Sequence, residues 1–502
     1  MSLTKKVISS LNWQVLTISC QAISTIVFVM IKSRIIAVDA FGIFAIVNIL
    51  IAFITMFTDF GFGAALIQRK TIKDSHISFA FYSTLLTGIF LFFIIWLVTP
   101  LIVDFYDYRF DDSILLVVGF NIVILSLGIV SKSLIVRDLE FKKLFFVVFV
   151  SYFLGNILGI ILALYGLGIW ALISINSFMN ILSVIIAFRL KPHSLKVIFD
   201  KKVAKEIFNF GSGLTLLRII NQLSIQVDKL IIGKTMSPVT LGIYERSLFV
   251  ATIPRVYIGS AIDGVLFSTL SKIQSNIEEV RNLFFTVLSL LAIFMSIIFV
   301  IFLFNAKAII LIMLGENWLE ALPIFKILTL LIIVQLHARF TDTLVRSLNA
   351  IYKSTKVKLV YLLAVTSSVY LFYPYGIEIV SLMVVLSCLI HSILLINLSL
   401  KLTKTSLLFF IQSLLPSVYI LSLLVVKNIL FTEILVFTEN DISNFGINLI
   451  TDLILLILFF KHLIGKENTL FLTKIIANNK VLKSKYSKLL QRVLLNNKYL
   501  KL

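Results

Sequence analysis

The feature that most limits what this chain can fold into is a succession of apolar stretches, each about twenty residues long, the length at which a helix crosses a bilayer. Apolar residues make up 59% of the 502 and charged residues only 14%, a balance that soluble domains do not have. The sequence therefore predicts an all-α integral membrane protein. We place fourteen spans, at 12–31, 41–59, 78–98, 113–134, 144–164, 167–188, 210–233, 243–267, 284–305, 321–338, 358–373, 377–398, 407–426 and 445–463.

The charges between the spans alternate along the chain. Loops rich in Lys and Arg, such as 189–209, alternate with short loops that are poor in cations. The cation-poor loop after the thirteenth span, for example, contains Lys427 together with the acidic residues Glu433, Glu439 and Asp441. Because cytoplasmic loops carry the excess of cations in membrane proteins, the alternation places both termini in the cytoplasm. It also accounts for the net charge of +20 without a nucleic-acid partner.

A weak internal repeat relates the beginning of the chain to a stretch 200 residues later. Gly42-Ile43-Phe44 corresponds to Gly242-Ile243-Tyr244, and Arg34 corresponds to Lys234. Duplicated halves are a common transporter design. Six spans in each half would orient both halves the same way, as a direct repeat with a cavity between two lobes.

The repeat and the loops together define the expected domains. The long basic connector separates the two lobes, and the last two spans lie outside the repeat. We expect the basic amphipathic tail to rest on the anionic inner leaflet. The boundaries are 1–188 for the N-lobe with helices 1–6, 189–209 for the cytoplasmic connector, 210–398 for the C-lobe with helices 7–12, 399–463 for helices 13–14 and 464–502 for the tail.

Several charged side chains fall inside the predicted spans, where a charge costs roughly 2.5–3.5 kcal/mol on insertion scales. Cations predominate, and a cavity lined by cations would suit an anionic cargo such as a phosphate or diphosphate. The alternatives are pairing within the fold, for example Arg255 with Asp263, and snorkelling of Asp228 and Lys229 to the membrane surface. The candidate cargo contacts are Arg34, Arg218, Lys229, Arg246, Arg255 and Lys326, and the candidate gating or charge-pairing acids are Asp59, Asp228 and Asp263.

Enzyme chemistry is not indicated anywhere in the sequence. There is no Ser-His-Asp constellation, no pair of carboxylates in a plausible cleft and no phosphate-binding Gly-rich loop. Cys20 and Cys388 lie in apolar stretches and the five His residues are scattered, so no metal site is expected. We therefore expect a protein that is not an enzyme, with no catalytic residues, no metal and no cofactor, and with proton or sodium coupling left open.

Four stretches resemble one family of membrane carriers. These are Ala40-Phe41-Gly42 with Phe60-Gly61-Phe62-Gly63-Ala64-Ala65-Leu66-Ile67-Gln68-Arg69; Gln226-Val227-Asp228-Lys229 with Gly242-Ile243-Tyr244 and Arg246; Gly315-Glu316-Asn317-Trp318 with Ala321 and Pro323; and Leu348-Asn349-Ala350. In order and spacing they resemble the polysaccharide-transport (Wzx-type) flippases of the multidrug/oligosaccharidyl-lipid/polysaccharide superfamily, especially colanic-acid and lipopolysaccharide (O-antigen) exporters. The chain departs from that pattern at Ser268, where a Pro is expected.

The resemblance implies a MATE-like fold in the bacterial inner membrane and a specific kind of cargo. Such carriers move undecaprenyl-diphosphate-linked oligosaccharide units from the cytoplasmic to the periplasmic face by alternating access. It further implies that the candidate cations contact the diphosphate or acidic sugars, while the candidate acids pair with them as the cavity opens and closes. Membrane lipids, and a polysaccharide polymerase or chain-length regulator, are the partners that it implies.

Three other functions compete with this interpretation. A cation-coupled multidrug exporter of the same superfamily would want acidic residues in its N-terminal cavity, and the first span has none before Asp39. A membrane-bound polysaccharide polymerase or ligase usually carries a large periplasmic loop, which this sequence lacks. A carrier of lipid-linked cell-wall precursors would share the fold and differ in the cargo.

Overall fold

A computed structural model describes residues 3–59, 61–69, 71–106, 111–198, 200–434 and 441–463. Every regular element in these ranges is helical. A π-helical segment, Phe146–Val150, joins α6 to α7, and two short 3₁₀ segments lie at Glu316–Ala321 and Tyr373–Tyr375. The helices are α1 Leu3–Ile35, α2 Val38–Asp59, α3 Phe62–Gln68, α4 Asp74–Tyr106, α5 Ser113–Arg137, α6 Phe141–Phe145, α7 Ser151–Leu164, α8 Gly168–Leu190, α9 Lys201–Thr235, α10 Pro238–Lys272, α11 Ile277–Phe304, α12 Ala306–Met313, α13 Leu322–Thr329, α14 Leu331–Ser347, α15 Ile351–Phe372, α16 Ile377–Thr403, α17 Leu407–Ile434 and α18 Asp441–Leu463.

The helices confirm a multi-pass membrane protein but not the predicted number of spans. Among the described residues, 11 helices are long and apolar enough to cross a membrane, and a bent pair, Glu316–Thr329 with Leu331–Ser347, brings the number to 12. The predicted spans 210–233 and 445–463 coincide with α9 and α18, which are not in that set. Charged and amide side chains in α9 lower its hydropathy, so the count of fourteen is not confirmed.

The helix ends follow the internal repeat at an offset of 200 residues. α1 ends at Ile35 and α9 ends at Thr235. α2 begins at Val38 and α10 begins at Pro238. The two helical corners therefore have the same length and the same two-residue break.

Later in each half the turns match at an offset of 210. Leu139 and Asn349 both adopt the left-handed conformation, with φ of 57° and 58°. The next residue donates a backbone hydrogen bond five residues back in both turns, from Glu140 to Ile135 and from Ala350 to Val345, each at 3.0 Å. This is the Schellman pattern of a helix end. Gly166 and Gly376, at the same offset, both have positive φ, of 81° and 95°, so the duplicated architecture is visible in the backbone.

The chain forms two compact units, each with its own apolar core. Unit 1 comprises Met1–Phe249, Met313–Ile324 and Lys358–Ser387, and unit 2 comprises Val250–Ile312, Phe325–Val357 and Cys388–Leu502. The unit 1 core includes Val47, Ile95, Ile114, Leu115 and Ile122 on α2, α4 and α5. The unit 2 core includes Phe284, Met295, Leu336, Phe340 and Leu424 on α11, α14 and α17. The predicted lobe boundaries remain predictions, and the tail 464–502 lies outside the described residues.

The connector after α8 is anchored to the start of α4. The Tyr82 hydroxyl donates to the Leu195 carbonyl at 2.5 Å, and the Ile198 N–H donates to Ser78 Oγ at 2.9 Å. The His193 ring packs against Phe81 and Phe188, with centroids 5.1 Å and 5.3 Å away. These contacts satisfy backbone groups that form no helix. α9 then begins at Lys201, inside the predicted connector.

Candidate functional site

The site is built around a corner of unit 1 where α2 and α10 touch through their backbones. A Cβ atom on Gly42 would lie 1.7 Å from the Pro238 carbonyl oxygen, and one on Gly242 would lie 2.6 Å from the Val38 carbonyl oxygen. At the 200-residue offset Gly42 corresponds to Gly242 and Val38 to Pro238, so the contact is reciprocal. Small residues allow such close crossing of membrane helices, and here only glycine leaves enough room.

A buried tryptophan packs against this corner. The Trp318 side chain is 0% exposed, and its Nε1–H donates to the Ser33 carbonyl at 2.8 Å. Its ring meets Phe41 edge to face at a centroid distance of 5.4 Å. The turn before it depends on Gly315, whose φ of 100° favours glycine. The Gly315-Glu316-Asn317-Trp318 stretch thus supports the α1–α2 corner.

Arg34 and Arg246 both lie at this corner, as two of the predicted cargo contacts. The Arg246 guanidinium stacks over the Phe41 ring, 4.3 Å from its centroid, and over Phe249 at 5.5 Å. Its Nε is 3.1 Å from Glu245 Oε2. Arg34 is exposed, donates to the Met30 carbonyl at 2.7 Å and has its stem against Gly315. Stacking on aromatic rings fixes a guanidinium while leaving edge N–H groups to bind an anion.

Asp228 is held beside the corner by a tyrosine. The Tyr244 hydroxyl of α10 donates to Asp228 Oδ2 of α9 at 2.7 Å, and Asp228 is only 6% exposed. Its other oxygen, Oδ1, accepts no hydrogen bond from the described residues. Burial to this degree contradicts the snorkelling alternative for Asp228. Lys229, the next residue, is half-buried.

A polar seam joins α1 to α7 in the same unit. Lys32 Nζ donates to Asn156 Oδ1 at 2.8 Å, and the hydroxyls of Thr25 and Tyr152 are 2.7 Å apart. The π-helical segment Phe146–Val150 lies immediately before Ser151, at the start of α7. Lys32 is not one of the predicted cargo contacts, although it is a cation at the end of an apolar span.

Unit 2 contains a second charged cluster, on α10 and α14. Arg339 Nε is 2.6 Å from Asp263 Oδ2, and its Nη1 donates to the Arg255 carbonyl at 3.1 Å. The Thr343 hydroxyl donates to Asp263 Oδ1 at 3.0 Å. A Cβ on Gly259 would lie 2.7 Å from the guanidinium, so this glycine makes room for it. Asp263 thus has a cationic partner, Arg339, that the sequence-based set of residues left out.

Another charged cluster of unit 2 contains Lys427, and the prediction for this residue was wrong. Lys427 lies inside α17 instead of an outer loop, and its Nζ is 2.9 Å from Asp452 Oδ1 on α18. The two side chains are 13% and 2% exposed. Asn448 accepts from the same ammonium and donates to Asn305 Oδ1 at 3.1 Å. Charges inside a membrane protein usually pair in this manner.

Three predicted residues remain. Lys326 is exposed on α13. Asp59 and Arg218 lie on α2 and α9, and their side chains fall outside the described part of the structure. In the described ranges no group of three or more His, Cys, Asp or Glu side chains could hold a metal ion.

Two lysines of unit 1 have neutral hydrogen-bond partners, whereas two cations of unit 2 lie beside a carboxylate. In unit 1, Lys32 and Lys132 hydrogen-bond to the neutral groups Asn156 Oδ1 and Ser183 Oγ, each at 2.8 Å. In unit 2, the Arg339 and Lys427 clusters each contain a carboxylate. Arg246 of unit 1 also lies beside a carboxylate, Glu245 Oε2 at 3.1 Å, so the contrast applies to Lys32 and Lys132 and not to every cation of unit 1.

A protein-family model matches more than half of the chain. The model of a family described as "Polysaccharide biosynthesis protein" matches residues 31–323. This range contains the α1–α2 corner, the Asp228–Tyr244 pair, Arg246 and Trp318.

Curated relatives match about two thirds of the chain. The teichuronic acid biosynthesis protein TuaB of Bacillus subtilis (strain 168) is 25% identical over 333 residues, 66% of this chain and 68% of the relative. The lipopolysaccharide biosynthesis protein WzxC of Escherichia coli (strain K12) is 24% identical over 338 residues, 65% of this chain and 67% of the relative.

Solved structures share the fold over most of their length. The lipid II flippase MurJ in an inward closed conformation has a TM-score of 0.67 at 16% identity, covering 91% of this chain and 97% of that one. An inward-facing multidrug resistance MATE family transporter of the MOP superfamily has a TM-score of 0.61 at 13% identity, covering 77% and 96%. At these identities the likeness shows the fold alone, which is the MATE-like fold predicted from the sequence.

Proposed function

The chain belongs to the polysaccharide biosynthesis protein family, and from this premise we propose that it moves lipid-linked oligosaccharide units across the bacterial inner membrane for the synthesis of a surface polysaccharide. The cargo would be attached to undecaprenyl diphosphate and would pass from the cytoplasmic to the periplasmic face. The chain would act as a carrier without catalytic residues of its own.

The names of related proteins support this kind of cargo. Its curated relatives are named for teichuronic acid, lipopolysaccharide and succinoglycan biosynthesis, the last as a transport protein. A protein named as a lipid II flippase shares the fold. The family assignment therefore supports a saccharide carrier over the multidrug exporter, and a carrier over a polymerase or ligase.

The observation that carries the proposal is the cationic corner of unit 1. Arg246 is buried at the α2–α10 crossing, stacked on Phe41, with Arg34 at the same corner. A diphosphate brings negative charge on several oxygens, and guanidinium groups bind such oxygens through charge-assisted hydrogen bonds.

Transport would proceed by alternating access around this corner. The backbones of α2 and α10 meet at glycines on both sides, and the stack of Arg246 on Phe41 is a side-chain contact that would have to break for the helices to separate. Asp228 and Asp263 would serve as charge-pairing groups during the change, with Tyr244 and Arg339 as their present partners. A proton or sodium gradient would be the energy source to test first.

The orientation and the partners complete the proposal. The cation-rich loops predict cytoplasmic termini, which puts the α1–α2 and α9–α10 corners at the periplasmic face. A polysaccharide polymerase or chain-length regulator would then receive the cargo on that side. No nucleic-acid partner is proposed, because the positive-inside distribution explains the basic charge.

A flipping assay in proteoliposomes tests the proposal. The purified chain is reconstituted with a fluorescent undecaprenyl-diphosphate-linked oligosaccharide, and the labelled lipid that reaches the other leaflet is measured. We expect transfer by the wild type and a loss of about tenfold or more in Arg246→Ala, since a charge-assisted contact is worth about 1.5–3 kcal/mol.

Arg281→Ala is the matched control. Arg281 also stacks on a phenylalanine, Phe409, at 6.0 Å, but it lies in unit 2 at the start of α11. Its transfer rate should stay within about twofold of the wild type, the scatter expected of a change outside the site. Absence of transfer by the folded wild type under every ion gradient would contradict the proposed function.

A further inference from the structure

The loop that carries Trp318 belongs to a different compact unit from the chain on either side of it. Met313–Ile324, which we call the Trp318 loop, is part of unit 1, whereas the residues before and after it are part of unit 2. Gly315 turns the chain at a φ of 100°, and Trp318 is 0% exposed. The exposed residues of the turn that follows Gly315 are Glu316, Asn317, Leu319 and Glu320. Trp318 is thus the largest side chain that this loop inserts into unit 1.

The Trp318 loop covers the end of α1. The last carbonyls of a helix lack partners within the helix, and the Trp318 indole N–H donates to one of them, the Ser33 carbonyl, at 2.8 Å. A Cβ on Gly315 would lie 3.1 Å from Cγ of Arg34, so the loop backbone also lies against the next side chain of α1. The loop therefore holds α1 through two successive residues.

The first half of the chain makes an equivalent contact at the end of α9. At the offset of 200 Arg34 corresponds to Lys234, and at the offset of 210 Gly315 corresponds to Phe105. The Lys234 ammonium lies over the Phe105 ring, 5.1 Å from its centroid. The contact of Arg34 with Gly315 and that of Lys234 with Phe105 therefore join the same two positions of the repeat.

The neighbouring residues extend this equivalence. Tyr106, the last residue of α4, is 2% exposed. A Cβ on Gly233 would lie 3.2 Å from Cε1 of the Tyr106 ring. Gly233 corresponds to Ser33 at the offset of 200, so a buried aromatic ring packs at the same position of α9 as Trp318 does at α1. Each half of the chain holds the first helix of the other half.

Both contacts lead into the glycine crossing of α2 and α10. α1 continues into α2, and α9 continues into α10, each after a break of two residues. The backbones of Gly42 and Gly242 are in contact at this crossing. If the two corners separate, Trp318 has to leave α1 and Tyr106 has to leave α9. The two aromatic contacts are therefore expected to break in the same movement.

We propose that the Trp318 loop and the end of α4 are a pair of latches that keep the two corners together, and that both latches release when the corners separate during transport. This inference rests on the alternating access of the proposed function and deepens it, because it names the groups that lock one of the two states. Trp318 contributes both a ring contact and a hydrogen bond, so its loop is the stronger latch.

Thiol labelling under the Trp318 loop tests the latches without any cargo. Ser33→Cys places a thiol at a residue that is 1% exposed, in a purified chain that also carries Cys20→Ala and Cys388→Ala. A hydrophilic maleimide reacts when the latch is open, so the labelling rate follows the open fraction. We expect Trp318→Ala to raise this rate about tenfold or more. Trp318→Phe, which keeps a ring and loses the N–H donor, should raise it about threefold.

Tyr106→Ala separates a latch from local packing. Trp318→Ala leaves space directly beside residue 33, and that space alone could admit the reagent. Tyr106 belongs to the other latch and packs on Gly233. If the latches release together, Tyr106→Ala should also raise the labelling of Ser33→Cys, by about threefold or more. A Trp318 that only fills space at α1 would leave the rate in Tyr106→Ala at its original value.

Trp170→Ala is the matched control. Trp170 is another tryptophan of unit 1, but it lies at the start of α8 and packs against the unit 1 core. Its loss should leave the labelling rate of Ser33→Cys within about twofold of the original. Thermal unfolding of each variant shows that the labelled chain is folded.

The outcomes distinguish the latches from the proposed function. An unchanged rate in both Trp318 variants, a rise that Tyr106→Ala does not share, or an equal rise in Trp170→Ala would each overturn the latches. Glycolipid flipping by a chain with any of these results would keep the proposed transport. Faster labelling in both latch variants of a chain that flips no glycolipid would keep the latches and overturn the proposed transport.

Discussion

Gly42 and Gly242 meet backbone to backbone: a Cβ atom on Gly242 would lie 3.0 Å from the nitrogen and 3.4 Å from the Cα of Gly42. The two residues occupy the same position in helices whose first residues are Val38 and Pro238. At this crossing the duplicated halves of the chain contact each other through a pair of equivalent glycines. Arg246, Phe41 and Trp318 surround this crossing.

The first prediction concerns the glycine crossing. Gly42→Val should reduce flipping about tenfold or more, since the new Cβ would lie 1.7 Å from the Pro238 carbonyl oxygen and the helices would have to move apart. The measurement is the proteoliposome flipping rate, together with thermal unfolding to confirm that the variant folds.

Gly264→Ala is the control on the same pair of helices. Gly264 is also in α10, but a Cβ there would meet nothing within 4 Å. The substitution should leave flipping unchanged and stabilise the helix by about 0.5–1 kcal/mol. Equal flipping rates in Gly42→Val and Gly264→Ala would show that the close crossing is not needed for transport.

The second prediction concerns the Arg339–Asp263 pair of unit 2. Asp263→Asn leaves the Arg339 guanidinium without its carboxylate. We expect the free energy of unfolding to fall by about 1–3 kcal/mol. This is less than the cost of breaking a fully buried ion pair, because both side chains are about a quarter exposed. Exchanging the residues, as Asp263→Arg with Arg339→Asp, should recover part of this loss. A double-mutant cycle on thermal unfolding measures the coupling, and additive losses would argue against a direct pair.

The third prediction concerns the last two helices. Lys427→Met would leave Asp452, 2% exposed, as a buried carboxylate without its ammonium. We expect a loss of about 3–5 kcal/mol. Lys427→Met combined with Asp452→Leu should be much closer to the wild type, because both charges are removed. Limited proteolysis between α17 and α18 is the measurement, and equal susceptibility of the single and double variants would contradict the pairing.

The fourth prediction is a pH dependence of the connector. Burial between Phe81 and Phe188 lowers the pKa of His193 from its usual 6.5, with a smaller opposing effect of the Ser194 carbonyl. The detached connector therefore binds a proton more readily than the docked one. Docking should be strongest above pH 6.5 and weaken as the pH falls below it.

Hydrogen exchange of residues 192–198 between pH 7.5 and pH 5.5 measures this effect. After correction for the intrinsic exchange rate, the Ile198 amide, which donates to Ser78 Oγ, should lose protection at the lower pH. His193→Phe keeps the aromatic packing and removes the titration, so its protection should not change with pH. The same loss in that variant would rule out His193 as the cause.

Much of the fold could be predicted because its signals are local. Helix-length apolar stretches and alternating loop charge identified the spans, and the match of Gly42 with Gly242 identified the repeat. The count of fourteen spans is not confirmed, because α9 and α18 are not among the helices of the described residues that are apolar enough to cross a membrane. Lys427 was assigned to a loop because the predicted thirteenth span ended at residue 426, whereas α17 continues to Ile434.

The candidate site was harder to predict, since its contacts join residues far apart in sequence. Arg246 and Asp228 could be selected as charges within apolar stretches. The same signal was present at Lys32 and Arg339, but nothing in the sequence pairs Lys32 with Asn156 or Arg339 with Asp263. The π-helical segment before α7 leaves no mark in the hydropathy pattern.

The central claim is that this chain carries a lipid-linked saccharide and not a cationic drug. The most direct measurement compares the transport of two cargoes by the same proteoliposomes under matched proton and sodium gradients. The cargoes are a fluorescent undecaprenyl-diphosphate-linked oligosaccharide and the cationic dye ethidium. We expect transfer of the glycolipid, lost in Arg246→Ala and kept in Arg281→Ala, with no gradient-driven movement of ethidium. Movement of ethidium without transfer of the glycolipid would contradict the account.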